Sequence, residues 1–222
     1  KENAKQLEHL QYDHIAIPDQ LDMGLRNLEI DIYPDSKGGR YSNPKGLSMA
    51  QLTPYNVNGE MDAPGFKVFH MPDIDFRSSE PTFKGCLENL KKWSDANPKH
   101  TPIFITLEPK GGSKGFDGTE SEGFTAALFN EMDAVIKEGL GDDKLITPDM
   151  VRGKYATLEE AVLNNNWPTL KEARGKFLFI LDDSGAKRDL YMQGHPSLKG
   201  RVVFANAAPG TPEAAAMFRN DP

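Results

Sequence analysis

"TFKGCLENLKKWSDANPKHTPIFITLE", residues 82–108, holds the pattern on which the fold turns. Phe83, Leu87, Leu90 and Trp93 recur at helical spacing, so one apolar face runs along a helix that Pro98 brings to a stop. A few residues on, "TPIFITLE" (101–108) reads as a strand. A helix leading so directly into a strand is half of a parallel crossover unit, because parallel strands need a connection long enough to return over the sheet.

The same alternation extends outward in both directions. Strand-like runs occur at "LRNLEIDI" (25–32), "FKVFH" (66–70), "KFLFILD" (176–182) and "RVVFA" (201–205). Most are continuous rather than alternating, which suits strands covered on both faces. Helical patterns lie at "IPDQLDMGL" (17–25), at the strongly amphipathic 121–141, and at "TLEEAVLNN" (157–165), whose Thr-x-x-Glu predicts a capping box. Strands alternating with helices predict an α/β fold, either a doubly wound sheet or a barrel, formed by residues 1–222 as a single domain. Two polar excursions interrupt the rhythm, each straight after a strand: 33–65, and the Gly-rich 109–120. Loops at the C-terminal ends of strands are where such folds place their chemistry.

The chain has 222 residues, 38% of them hydrophobic, enough for one sizeable core. Its 33 acids outnumber 26 Lys and Arg, a net charge of −7, so the overall field recruits neither nucleic acid nor anionic lipid. The one cysteine, Cys86, lies within the apolar helical pattern and reads as a buried small side chain. No apolar run approaches the roughly 20 residues of a membrane span, and "KENAKQLEHL" has no signal-peptide core. The expectation is a protein that works in water, from which a leader could already have been removed.

Three strand ends carry polar groups that apolar strands do not carry without reason. The first bears Glu29 and Asp31 on one face between Leu28, Ile30 and Ile32; the second ends in His70, followed by "MPDID"; the third ends in Glu108, followed by "PK". About 40 residues separate Asp31 from His70 and His70 from Glu108, one crossover unit each. Three carboxylates gathered on one rim beside an imidazole would repel one another as bare charges. A hard cation, calcium or magnesium, takes oxygen ligands at this density and relieves that repulsion. The alternative is a half-exposed strand whose Glu29 and Asp31 simply face water.

"LDMGLRNLEIDIYPDSKGGRYSNP" and "PGFKVFHMPDIDFRSSEPTFKGCLENLKKWSDANPKHTPIFITLEPK" resemble the secreted bacterial and fungal calcium-dependent phosphoinositide-specific phospholipases C. These belong to the wider group of barrel phosphodiesterases. The likeness covers residues 12 to about 110 closely and "GKFLFILDDSG" and "LKGRVVFANA" more loosely. It implies a TIM-type (β/α)8 barrel, Ca2+ as cofactor and a secreted or periplasmic location. It also implies a phosphodiester substrate such as an inositol phospholipid, met in transient contact with a membrane surface. Glu29 and Asp31 match the family's metal-ligating pair, candidates also for general base; Glu108 matches a further metal carboxylate, and His70 the second catalytic histidine. Lys110, Asp182 and His14 stand where they could meet the substrate, against a solvated role for Lys110 and a loop-capping role for Asp182.

One departure accompanies these matches. The family's first catalytic histidine, directly followed by an asparagine ligand, has no counterpart in this chain: His9 and His14 lie in "LEHLQYDHIAIP" and do not fit that role. Five visible strands fall short of eight, so a fragment lacking one strand at the start and about two at the end is expected. The rivals to cyclising cleavage are a glycerophosphodiester phosphodiesterase and an inactive module that binds metal and polyol phosphate. A nucleotide-binding doubly wound fold would show a Gly-rich turn after its first strand, where "EIDIYPD" stands instead.

Overall fold

Strand β1 (Asn27–Tyr33) pairs in parallel with β3 (Ile103–Pro109), β3 with β4 (Phe177–Leu181), and β4 with the two-residue β5 (Phe204–Ala205). The computed structural model from which this follows describes residues 13–50, 55–113 and 118–215; His9 lies outside them. The run at 66–70 is the exception to the parallel expectation. Only β2 (Lys67–Val68) forms there, antiparallel to β1, with Ile32 opposite Val68 and Tyr33 opposite Lys67. Residues 34–66 therefore turn the chain back on itself as a hairpin connection, which needs no crossover helix. Among the described residues the sheet order is β2-β1-β3-β4-β5.

The helices expected from periodicity are present, with shorter ends: α1 (Ile17–Asp22), α3 (Phe83–Ala96), α4 (Ala126–Leu140) and α6 (Leu158–Leu163). The Thr82 side chain accepts the Gly85 N–H to cap α3, and Thr125 accepts that of Leu128 to start α4 five residues inside the expected span. The capping box predicted at Thr157 is half made: Thr157 accepts the Glu160 N–H, but the Glu160 carboxylate turns to the N–H of Ala156. The reciprocal box forms instead at Thr169 and Glu172, on α7 (Leu170–Ala173). Shorter helices not expected from the sequence are α2 (Lys45–Ala50), α5 (Pro148–Arg152) and α8 (Ala186–Met192).

One face of the sheet packs against α3 and α4. Leu28, Ile30 and Ile32 of β1 and Ile103, Ile105 and Leu107 of β3 join Leu87, Leu90, Phe129 and Ile136 in the main core, with Cys86 buried among them. α3 and α4 approach closely at Gly139, where an added Cβ would stand 2.9 Å from that of Leu87. β4 is buried at every position, as a continuous apolar run predicts. β1 and β3 differ from that expectation: their burial alternates, and the residues between the apolar ones, including Glu29, Asp31 and Glu108, lie on the face turned from the helices. A second, smaller cluster of Tyr33, Tyr41, Met61 and Phe69 pins the 34–65 excursion to the end of β1.

Candidate active site

The parallel register sets Asp31 beside Glu108, and two-residue alternation keeps Glu29 on the same side as Asp31. One carboxylate oxygen from each of Glu29, Asp31 and Glu108 lies within 4.8 Å of the other two. The Lys110 N–H extends the ladder onto the Ile32 carbonyl at 2.9 Å, which returns the lysine side chain to the Glu108 side. Its Nζ stands 2.6 Å from Glu108 Oε2 and 3.6 Å from Asp31 Oδ2.

Like charges about 4 Å apart repel by about 1 kcal/mol in bulk water and about 4 kcal/mol at an effective dielectric constant near 20. Burial adds to that repulsion at Asp31, whose carboxyl is pushed up to about 7. Burial contributes most; the Lys110 ammonium pulls the other way, and Glu108 and Glu29 add to the rise. A desolvated carboxyl crowded by two more is the arrangement a divalent cation relieves, and an all-oxygen donor set suits calcium or magnesium. The three residues therefore fit the implied metal.

His70 reaches the same place by another route. After Val68 the chain turns, and Met71 and Asp75 exchange backbone hydrogen bonds of 2.9 and 3.1 Å across a turn in which Asp73 takes φ +68°. This folds Asp75 Oδ2 to 2.8 Å from His70 Nδ1. The Tyr33 hydroxyl donates to the His70 carbonyl at 2.9 Å, and the Tyr33 ring stacks on Phe69 with centroids 4.4 Å apart. Asp73 knits the surrounding loops together: its carboxylate accepts from the N–H of Lys45 and from both the N–H and the hydroxyl of Thr119.

Glu29, Asp31, His70 and Glu108 line one cleft of about 950 Å³, together with His14 and Arg77. Of the other residues singled out from the sequence, Lys110 lies on two of the acids, and Asp182 is not among those lining the cleft. The Asp182 N–H donates to the Leu107 carbonyl at 2.8 Å, while its neighbour Asp183 accepts the N–H groups of Gly185 and Arg188 at the start of α8. Asp75, Asp73 and Arg77 were not legible as site residues. "MPDIDFR" displays them, but their contacts depend on a turn that no periodicity announces.

Comparison with known proteins meets this geometry from outside. The sequence profile described as phosphoinositide phospholipase C, Ca2+-dependent, matches residues 1–222. The chain belongs to that family. A calcium-dependent phosphoinositol-specific phospholipase C from a Gram-negative Pseudomonas species, in its apo form, superposes with a TM-score of 0.56 at 21% identity. The match covers 85% of this chain and 58% of that one. The same Pseudomonas enzyme described as a myo-inositol complex gives 0.55 at 22%, with the same coverage. A Ca2+-dependent phosphatidylinositol-specific phospholipase C from Streptomyces antibioticus gives 0.54 at 26%, covering 87% of this chain and 62% of that one. The chain thus spans about three fifths of the length of these phospholipases C. No protein of curated function matches it.

Proposed function

We propose that the protein is a calcium-dependent phosphodiesterase that cleaves an inositol phospholipid by internal attack. The carrying observation is the convergence of Glu29, Asp31 and Glu108 within 4.8 Å on a cleft that His70 also lines. Family membership and the likeness to the Streptomyces enzyme support calcium and the phosphoinositide class. The family resemblance supports a secreted or periplasmic location and passing contact with a membrane surface. Among the described residues no helix is long and apolar enough to cross a membrane.

Glu29, Asp31 and Glu108 would hold the calcium. When bound, it supplies Lewis-acid stabilisation of charge developing on the phosphate oxygens. A hydroxyl of the substrate headgroup attacks its own phosphorus, forming a cyclic phosphodiester as the bond to the alcohol leaving group breaks. Its proton passes to a carboxylate of the Glu29 and Asp31 pair. His70, protonated, delivers a proton to the leaving alkoxide. Asp75 fixes Nδ1 of that ring, so the transfer runs through Nε2. Because the nucleophile belongs to the substrate, proximity replaces an enzyme nucleophile.

Incubation with phosphatidylinositol, and separately with glycerophosphoinositol, in the presence of calcium, followed by phosphorus NMR, tests the reading. A cyclic inositol phosphate is the expected product. Glycerol phosphate from glycerophosphoinositol would identify a glycerophosphodiester phosphodiesterase instead, and calcium binding without turnover would mark a binding module.

A further inference from the structure

The acidic cluster carries its own cation. Lys110 follows Glu108 by two residues, so the strand that presents the carboxylate also returns the ammonium to it. Lys110 Nζ is 2.6 Å from Glu108 Oε2 and 3.6 Å from Asp31 Oδ2, touching two of the three candidate ligands. Only about a fifth of the side chain is exposed, so this is not a lysine extended into solvent. A second ammonium, Lys187 on α8, is fastened to the carbonyl of Pro109, the residue between Glu108 and Lys110. It lies near enough to both for their charges to act on it, and its like charge opposes that of Lys110.

We propose that Lys110 is a built-in competitor for the metal: its ammonium bridges Asp31 and Glu108, and a divalent cation binds by displacing it. This rests on the metal-site reading of Glu29, Asp31 and Glu108. Calcium bonds to carboxylate oxygens at about 2.3–2.6 Å. An ammonium held at 2.6 Å on Glu108 Oε2 excludes a cation from the same lone pair. A metal binding here must therefore displace the charge-assisted hydrogen bond on Glu108 and the ion pair at 3.6 Å on Asp31, and the lysine lowers the calcium affinity of the site. In exchange it screens three acids from one another in the absence of metal, so the cluster keeps its geometry without calcium. Lys110 acts here on the metal ligands and is a positioning residue.

The test is calorimetric titration of calcium into the unmodified protein, Lys110→Met, Lys110→Arg and Asp31→Asn, with thermal denaturation of each in chelator. Methionine keeps the length of the stem and removes the charge; arginine keeps the charge and the bridge. Lys110→Met is expected to bind calcium at least about tenfold more tightly, since one cation near a divalent ion is removed. In chelator it is expected to melt roughly 2 °C or more below the unmodified protein, because the acids lose their counter-ion. Lys110→Arg is expected to stay within about threefold of the unmodified affinity and to melt with it. Unchanged or weaker calcium binding by a folded Lys110→Met, alongside loss of binding in Asp31→Asn, would overturn the role of Lys110 and leave the metal site standing. Equal or absent binding in all four proteins would overturn both.

Discussion

Asp31 is the residue on which the site depends. It faces away from the helices, is crowded by Glu108, and is pushed up to about 7 mainly by burial. Calcium at a hundred times its dissociation constant would stabilise the fold by about 2.7 kcal/mol. In a chain of this size that raises the melting temperature by roughly 5 °C or more, and Asp31→Asn is expected to remove the shift between calcium and chelator. Equal melting curves in the unmodified protein would refute the metal site. Asp75 has a different kind of task. It touches His70 at 2.8 Å and holds one ring nitrogen. Asp75→Asn is expected to lower kcat by roughly 10- to 100-fold, in the range of other residues that act by orienting a functional group. KM should move by less than about threefold, and a change confined to KM would argue against an orienting role.

At the scale of elements, the approach to β3 is built around a second histidine that has no part in the chemistry. His100 sits between α3 and β3, buried at 7% exposure. Its Nε2 accepts from the Ser94 hydroxyl at 2.9 Å, its Nδ1 donates to the Thr101 carbonyl at 2.6 Å, and Lys144 donates to Ser94 at 2.9 Å. Burial lowers its ionisation below the usual 6.5; the Thr101 carbonyl opposes that, and Arg26 and Lys144 reinforce it. A histidine held neutral by the fold contributes stability that is complete above about pH 6.5 and lost as pH falls through its folded value. Thermal denaturation between pH 7 and 5 should therefore show an acid-side loss of at most about 1.4 kcal/mol per pH unit from this group. His100→Gln is expected to flatten that slope, and an unchanged slope would place its origin elsewhere. β2 makes a complementary point. "FKVFH" has the composition of a strand and forms one, but its direction comes from a 34–66 connection that Tyr33, Tyr41, Met61 and Phe69 fold back upon itself.

Across the whole molecule, the far side of the sheet is locked by a buried polar knot remote from the cleft. Arg201, 3% exposed, donates to Asp133 Oδ2 at 3.2 Å and to Asn130 Oδ1 at 2.7 Å on α4. The Tyr191 hydroxyl donates to Asp133 Oδ1 and accepts the Val203 N–H, both at 2.9 Å. α4, α8 and the approach to β5 are thereby joined through Arg201, Asp133 and Tyr191, all three of them buried. Asp133→Ala is expected to cost about 3–5 kcal/mol in denaturant titration, because it strands the Arg201 charge. A loss under about 1 kcal/mol would show that the knot relaxes freely.

Among the described residues, local periodicity was enough to find every strand, the four principal helices and the face on which Glu29 and Asp31 sit, because side-chain direction along a strand or helix is set by the backbone repeat alone. Glu108 was legible for the same reason, as a charge ending an apolar strand. Family likeness, carried by the same motifs, supplied the chemistry proposed for those positions. The antiparallel course of β2, the seating of His70 on Asp75 and the placing of Lys110 on two carboxylates instead of in solvent belong to the tertiary structure. Each depends on groups brought together by a turn through left-handed backbone at Asp73 or by the register between β1 and β3. Composition and spacing do not encode those approaches: they arise only once the apolar face of the sheet has closed on α3 and α4.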